Sequence, residues 1–233
     1  MNKGITAHLF VRFPFISLSL MLILLALACG NPSSDQKNAA DPIDEVKATI
    51  NIRFDEEQKQ LKAVVQFFND EKPFKIGQQV TLKGSQMVFF DSPIKGPNYS
   101  VTREMVYDSL LQLDVGGNQF FIPVPRYSNP KINAEFNKSD GGRIAWDGPL
   151  LANGELLAIL LQDSASVTVN LNRAGPSTRP STRIFDHQID TLSPGPIDLN
   201  MVRRIRYNDI SGPVNAQISV EYYGLPARFE LKP

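Results

Sequence analysis

The chain has 233 residues, with 24 lysines and arginines against 24 aspartates and glutamates, one cysteine, one tryptophan and two histidines. A lone cysteine excludes an internal disulfide, and a single histidine beyond residue 28, His187, excludes a multi-histidine zinc centre there. The balanced charge gives no reason to expect nucleic acid as a partner.

Residues 1–28 carry Lys3 and Arg12, then an apolar run from Phe13 to Leu27, and end in Ala26-Leu27-Ala28 ahead of Cys29-Gly30. A basic start, a short apolar stretch and a small-residue site predict a secretory signal peptide. Pro14, Ser17 and Ser19 interrupt the run, which falls short of the roughly 20 residues needed to span a bilayer. A retained membrane helix or a soluble secreted protein with a free thiol are the alternatives. With Cys29 directly after the cleavage site, the segment resembles the lipobox of bacterial lipoproteins, with Ala26 where leucine is commonest. That resemblance implies that Cys29 is the lipidation site, bearing a diacylglyceryl group and an N-acyl chain. The membrane is then a partner through the anchor, and the bacterial cell envelope the location. Gly30 rather than Asp implies the outer membrane.

Without residues 1–28, about 205 residues remain, with 22 basic against 24 acidic side chains. Residues 29–45 are small, polar and punctuated by Pro32 and Pro42, which predicts a flexible tether. From Lys47 the period becomes two. Ala48, Ile50, Ile52 and Phe54 alternate with polar residues, as do Leu61, Ala63, Val65 and Phe67, with Val64 and Phe68 on the other side. Val80–Leu82 and Met87–Phe90 follow, split by Gly84. Then come 110–115 and 119–124, joined at the hairpin signal Gly116-Gly117-Asn118. Lys95-Gly-Pro-Asn98 reads as a turn, and the sequon Asn98-Tyr99-Ser100 as an exposed loop. Residues 46–127 are therefore expected to be the first β-sandwich domain. Pro123, Pro125 and Pro130 around Arg126–Asn129 mark the boundary, because proline denies ladder donors.

Residues 131–233 repeat the style as a second β-sandwich domain. Arg143–Trp146 leads to the apolar run 155–161, read as a strand buried on both faces, with a short buried helix as the alternative. Val167, Val169 and Leu171 alternate. Strands are further expected at 184–185, 189–192, 197–205 and 216–222, with an edge strand at 228–231. The phrases Gly117-Asn-Gln-Phe-Phe-Ile-Pro-Val124 and Leu192-Ser-Pro-Gly-Pro-Ile-Asp-Leu199 resemble the tandem immunoglobulin-like sandwiches of bacterial surface lipoproteins. The implied fold class is all-β, with two immunoglobulin-like β-sandwich domains after a signal peptide and tether.

No residue is singled out as catalytic, and no metal or cofactor is expected. His187 is the only imidazole after residue 28, and no serine sits in a Gly-x-Ser-x-Gly elbow. Asp55-Glu56-Glu57 reads as a solvated turn, Asp163 as facing water or a calcium ion, and 137–142 as only a distant likeness to a calcium loop. Three residues are ligand-binding candidates. Trp146 is either a sugar-stacking platform or a core aromatic. Arg179 and Arg183, in Arg173-Ala-Gly-Pro-Ser-Thr-Arg-Pro-Ser-Thr-Arg183, either grip anions or ride on a mobile loop. The expected function is a non-catalytic, membrane-anchored extracytoplasmic lipoprotein that binds or scaffolds an envelope protein, with a carbohydrate-binding accessory lipoprotein as the alternative and an envelope enzyme as the third reading.

Overall fold

In a computed structural model of the chain, residues 46–125, 130–132, 136–207 and 215–233 are described. The signal peptide, Cys29, the tether to residue 45 and the boundary segment 126–129 lie outside the described residues. Among the described residues no helix is long and apolar enough to cross a membrane.

β1 (Lys47–Asp55) and β2 (Gln60–Asn69) form an antiparallel hairpin. Its period-two pattern puts Ala48, Ile50, Ile52 and Phe54 on one buried face with Phe67, Val65, Ala63 and Leu61 opposite. A short β3 (Lys72–Phe74) folds back on β2. The chain then enters a second sheet as β4 (Val80–Leu82) and β5 (Ser85–Gln86), and buried Met87 marks its return. β6 (Val88–Ser92) and β7 (Gly96–Glu104) extend the first sheet beyond β2. β8 (Leu110–Val115) and β9 (Asn118–Pro123) complete the second, a four-stranded sheet ordered β5-β4-β8-β9. Their turn runs through Gly116 at φ +60° and Gly117 at φ +92°, left-handed backbone that glycine adopts without strain.

The second half builds β10 (Pro130–Ile132), β11 (Gly142–Trp146), β12 (Glu155–Asp163), β13 (Thr168–Ala174), β14 (Ser181–Ile184), β15 (Gly195–Tyr207), β16 (Asn215–Tyr223) and β17 (Ala227–Leu231). β10, β11 and β14 make a three-stranded sheet. The remaining strands join those of the first half in one ten-stranded sheet, β13-β12-β15-β16-β1-β2-β7-β6, with β3 on β2 and β17 on β15. The architecture is all-β. The buried faces of the three sheets contribute to one apolar cluster that includes Ile50 and Val65, Leu113 and Ile122, and Ile144 and Ile159.

The proline-marked boundary falls where the chain leaves the four-stranded sheet for the three-stranded one. It does not divide two self-contained domains. β1 of the first half and β16 of the second pair in parallel over their full lengths, and the described residues belong to one compact unit. Three local expectations also change. Residues 96–104 form strand β7, with Asn98 paired to Phe90 and Tyr99 buried, so the sequon lies in a strand; Gly96-Pro97 opens it, a place where proline is tolerated. Residues 155–161 are the strand expected, but with only one face buried and Leu156, Ala158 and Leu160 half-buried on the other. Ile189 and Leu192 are core residues of turns after a 3-10 turn at Asp186–Gln188, not of a strand.

Ile52 sits in the middle of the long sheet, flanked by Ala63 and Val220 and 2 % exposed. Replacing it with alanine is expected to cost about 2–5 kcal/mol, read as a lowered urea midpoint with an unchanged slope. A loss within about 0.5 kcal/mol, as for a surface substitution, would place that side chain outside the core.

Candidate functional site

The described residues that are both buried and charged serve the framework. Arg203, on β15 and 1 % exposed, donates from Nη1 to the Pro149 carbonyl at 3.1 Å and from Nη2 to the Leu150 carbonyl at 2.9 Å. It also pairs with the Glu155 carboxylate, which accepts from the Ala152 amide at 2.8 Å. The pair fastens the 147–154 segment to the long sheet. A charge buried this deeply persists only with such partners, and removing one costs about 3–5 kcal/mol in comparable pairs.

Asp163 ends β12 and accepts from the amides of Ala165 and Val167 at 2.9 Å each through Oδ1, and from Ser193 at 2.9 Å through Oδ2. The Ser193 amide, followed by those of Val167 and Ala165, holds its carboxyl below the ordinary carboxylate range despite the opposing effect of burial. The expected water- or calcium-facing carboxylate is thus a clip between two turns. Glu56 is likewise no solvated turn residue: it is 7 % exposed, accepts from the Tyr222 hydroxyl at 2.8 Å and pairs with Lys59. The turn after β1 folds it back over Tyr222, while Asp55 accepts from the Gln58 amide at 3.0 Å.

Trp146 is a core aromatic. It is 4 % exposed, on the inward face of β11, and its indole N–H donates to the Pro149 carbonyl at 3.4 Å. A ring buried there offers no stacking surface, which overturns the platform reading. Tyr222 points inward and Tyr223 to the opposite face, as neighbours on a strand must. Burial raises the Tyr223 hydroxyl pKa, with the Glu221 carboxylate adding to the effect. Arg53 lies over the Tyr223 ring, 3.7 Å from its centroid.

The arginine-rich segment is pinned. Gly175 donates to the Glu155 carbonyl at 2.8 Å, Ser177 to that of Leu151 at 2.9 Å, and Trp146 to that of Pro180 at 2.9 Å. Arg173 reaches from β13 to Thr182 Oγ1 (2.6 Å) and the Arg183 carbonyl (3.0 Å). Arg179 is exposed, with no hydrogen bond or ion pair among the described residues. Arg183 is also exposed, and lies directly opposite Arg143 in the β11–β14 pair. Arg143 was not singled out in the sequence, because only strand register brings the two together. Its Nη1 donates to Ser181 Oγ at 3.1 Å, while the Arg183 guanidinium sits 5.3 Å from the centroid of Phe185, whose ring stacks on His187.

Along the outer face of the long sheet, β1 borders open clefts. One of about 520 Å³ is lined by Lys47, Thr49, Phe68, Glu71, Asn215 and Gln217 among others, and one of about 270 Å³ by Asn51, Arg53, Lys62, Ser219 and Glu221 among others. Among the described residues no three His, Cys, Asp or Glu side chains gather as metal ligands. Asp140 and Asn137 bond instead to one another, in a local turn.

No protein-family model and no curated protein sequence matches the chain. Among solved structures it is similar to the crystal structure of a tetra-tandem repeat in the extending region of a large adhesion protein, at 12 % identity and a TM-score of 0.30. That match covers 79 % of this chain and 49 % of the other, so the chain spans about half that structure's length.

The Asp163 clip has a testable pH signature. A depressed folded-state pKa contributes stability above the unfolded value, and that contribution is lost as pH falls through the folded one. Asp163→Asn is expected to unfold at lower urea than the parent at pH 7, with the gap closing as pH drops below about 4. A gap of constant size down to acid pH would show that the carboxylate charge has no part in the clip.

Proposed function

We propose that the protein is a non-catalytic, lipid-anchored extracytoplasmic module of the bacterial envelope that binds or scaffolds another envelope protein. The residues around Cys29 support the anchor, since Ala26-Leu27-Ala28 places a lone cysteine directly after a signal-peptide cleavage site. The doubly acylated terminus implied by the lipobox resemblance would hold durably, because each buried methylene contributes about 0.8 kcal/mol.

The observation that carries the binding role is β6. It ends the path of the ten-stranded sheet, so among the described strands its outer edge is unpaired. Its sequence Val-Phe-Phe-Asp-Ser holds one charge, and Val88 and Phe90 are 57 % and 51 % exposed on the same face. Natural edges are usually blunted by lysine, proline or a bulge, whereas an apolar open edge suits strand addition by a partner. Ile94, in the turn that follows, is 95 % exposed and extends that surface.

Pull-down from detergent-solubilised envelopes, combined with radioactive palmitate labelling, tests both parts. The parent protein is expected to carry label and to retain one protein partner. Cys29→Ser should lose the label and leave the membrane fraction, whereas Phe90→Lys should keep the label and lose the partner. Label persisting in Cys29→Ser would refute the anchor, and the same partner on Phe90→Lys would refute the edge-strand interface.

A further inference from the structure

We propose that the occupant of the β6 edge is a second copy of this chain, paired antiparallel about a two-fold axis at Phe90. The inference rests on β6 being the binding edge and names what binds there. In an antiparallel pair, alternate residues turn their backbone N–H and C=O toward the neighbouring strand. Pro97 stands opposite Asp91 and has no N–H to give. The Met87 amide donates to the Val80 carbonyl of the other sheet at 2.9 Å, away from β7. Both observations set one parity: Phe89 and Asp91 turn their ladder groups outward, while Val88, Phe90 and Ser92 turn theirs toward β7.

That parity leaves one two-fold register. Centred on Phe90, it sets Phe89 opposite Asp91 of the second copy, and each such pair exchanges both backbone bonds. An axis at Phe89 would match Asp91 with Met87, whose amide is already bound. An axis at Asp91 would set two carboxylates face to face and match Phe89 with Pro93, which has no donor. An axis between two residues would match outward groups with inward ones.

The side chains favour the same register. Lys75 is exposed, its ammonium 4.7 Å from the centroid of the Phe89 ring, and has no ion pair among the described residues. Asp91 is the only charge on β6, exposed and likewise without an ion pair among the described residues. Phe89 and Asp91 share a face of the strand, so pairing brings the Asp91 of each copy beside the Phe89 and Lys75 of the other. The unmatched charges of one copy thus answer those of the second. On the opposite face Phe90 meets Phe90 of the second copy in a non-hydrogen-bonded pair, the closer kind, with Val88 diagonally beside it. Any added strand gains the backbone bonds. An antiparallel copy of β6 also supplies an anion to Lys75 and a ring to Phe90. With five residues in the strand the interface is small, so association depends on the density of copies at the surface.

The test co-expresses two copies of the full chain with different tags, solubilises envelopes in non-ionic detergent, captures one tag and measures the other. The parent is expected to retain its second copy. Asp91→Lys with itself, and Lys75→Glu with itself, should each lose about tenfold in retention, because attraction becomes repulsion at both ends of the pair. Asp91→Lys co-expressed with Lys75→Glu should recover it, since opposite charges again face each other. A second measurement leaves the charges unchanged. Oxidation should join two copies of Phe90→Cys, whose residues 90 face one another, within disulfide reach. It should not join two copies of Val88→Cys, which lie roughly 13 Å apart along the strands. Undiminished self-retention by either single variant, no recovery in the mixture, or cross-linking through residue 88 and not 90 would overturn the pairing. If Phe90→Lys loses an envelope partner of another sequence and the parent retains no second copy, the edge-strand interface stands and the self-pairing falls.

Discussion

The parallel pairing of β1 with β16 is the constraint on which the rest of the structure depends. It joins the first described strand to the next-to-last across about 160 residues, in the register Ala48–Ala216, Ile50–Ile218, Ile52–Val220 and Phe54–Tyr222. Both strands carry the same alternation in the same phase, so every apolar residue of one lies beside an apolar residue of the other. Phe54 and Tyr222 stack at 5.5 Å, and Tyr107 meets both rings edge-on. On the opposite face Arg53 covers Tyr223, whose hydroxyl donates to Glu221, and Glu221 also pairs with Arg204. The Tyr222–Glu56 bond and the Glu56 amide on the Tyr223 carbonyl at 3.0 Å close the end of the seam. Tyr207 adds a link between the halves by donating to the Pro123 carbonyl at 3.4 Å. Contacts this distant in sequence repay their loop-closure cost only late in folding, which makes the topology intrinsically slow.

That seam explains the disposition of the polar groups. Arg203 and Glu155 tie one long loop to the sheet, Asp163 joins two turns, and Glu56 caps the seam, so the deeply placed charges hold segments together. What can meet another molecule lies outside, at the open apolar edge of β6.

Period-two alternation made most of the strands legible. The faces of β1, β2 and β16 match their patterns residue for residue, and Gly116-Gly117 marks its hairpin. Partner choice was not legible, because every alternating strand presents the same pattern to every other, and proximity in the chain suggested two separate modules. β7 escaped notice because Gly96-Pro97 carries a turn signature although it opens a strand. Trp146 and Glu56 show the same limit for single residues: an aromatic beside Asp-Gly-Pro reads as either platform or core, and a carboxylate in an acidic triplet looks exposed, until the fold covers them. Arg143 gave no signal, since only the strand register sets it opposite Arg183.

Urea unfolding followed at two probes tests the joined sheet most directly. Trp146 fluorescence reports only the second half, in which the sole tryptophan is buried, while far-ultraviolet circular dichroism reports the strands of both. A sheet continuous through β1 and β16 predicts that the two curves coincide in a single transition. A fluorescence change displaced from the dichroism change, or a dichroism curve in two steps, would mean that the halves melt apart and that the seam does not unite them.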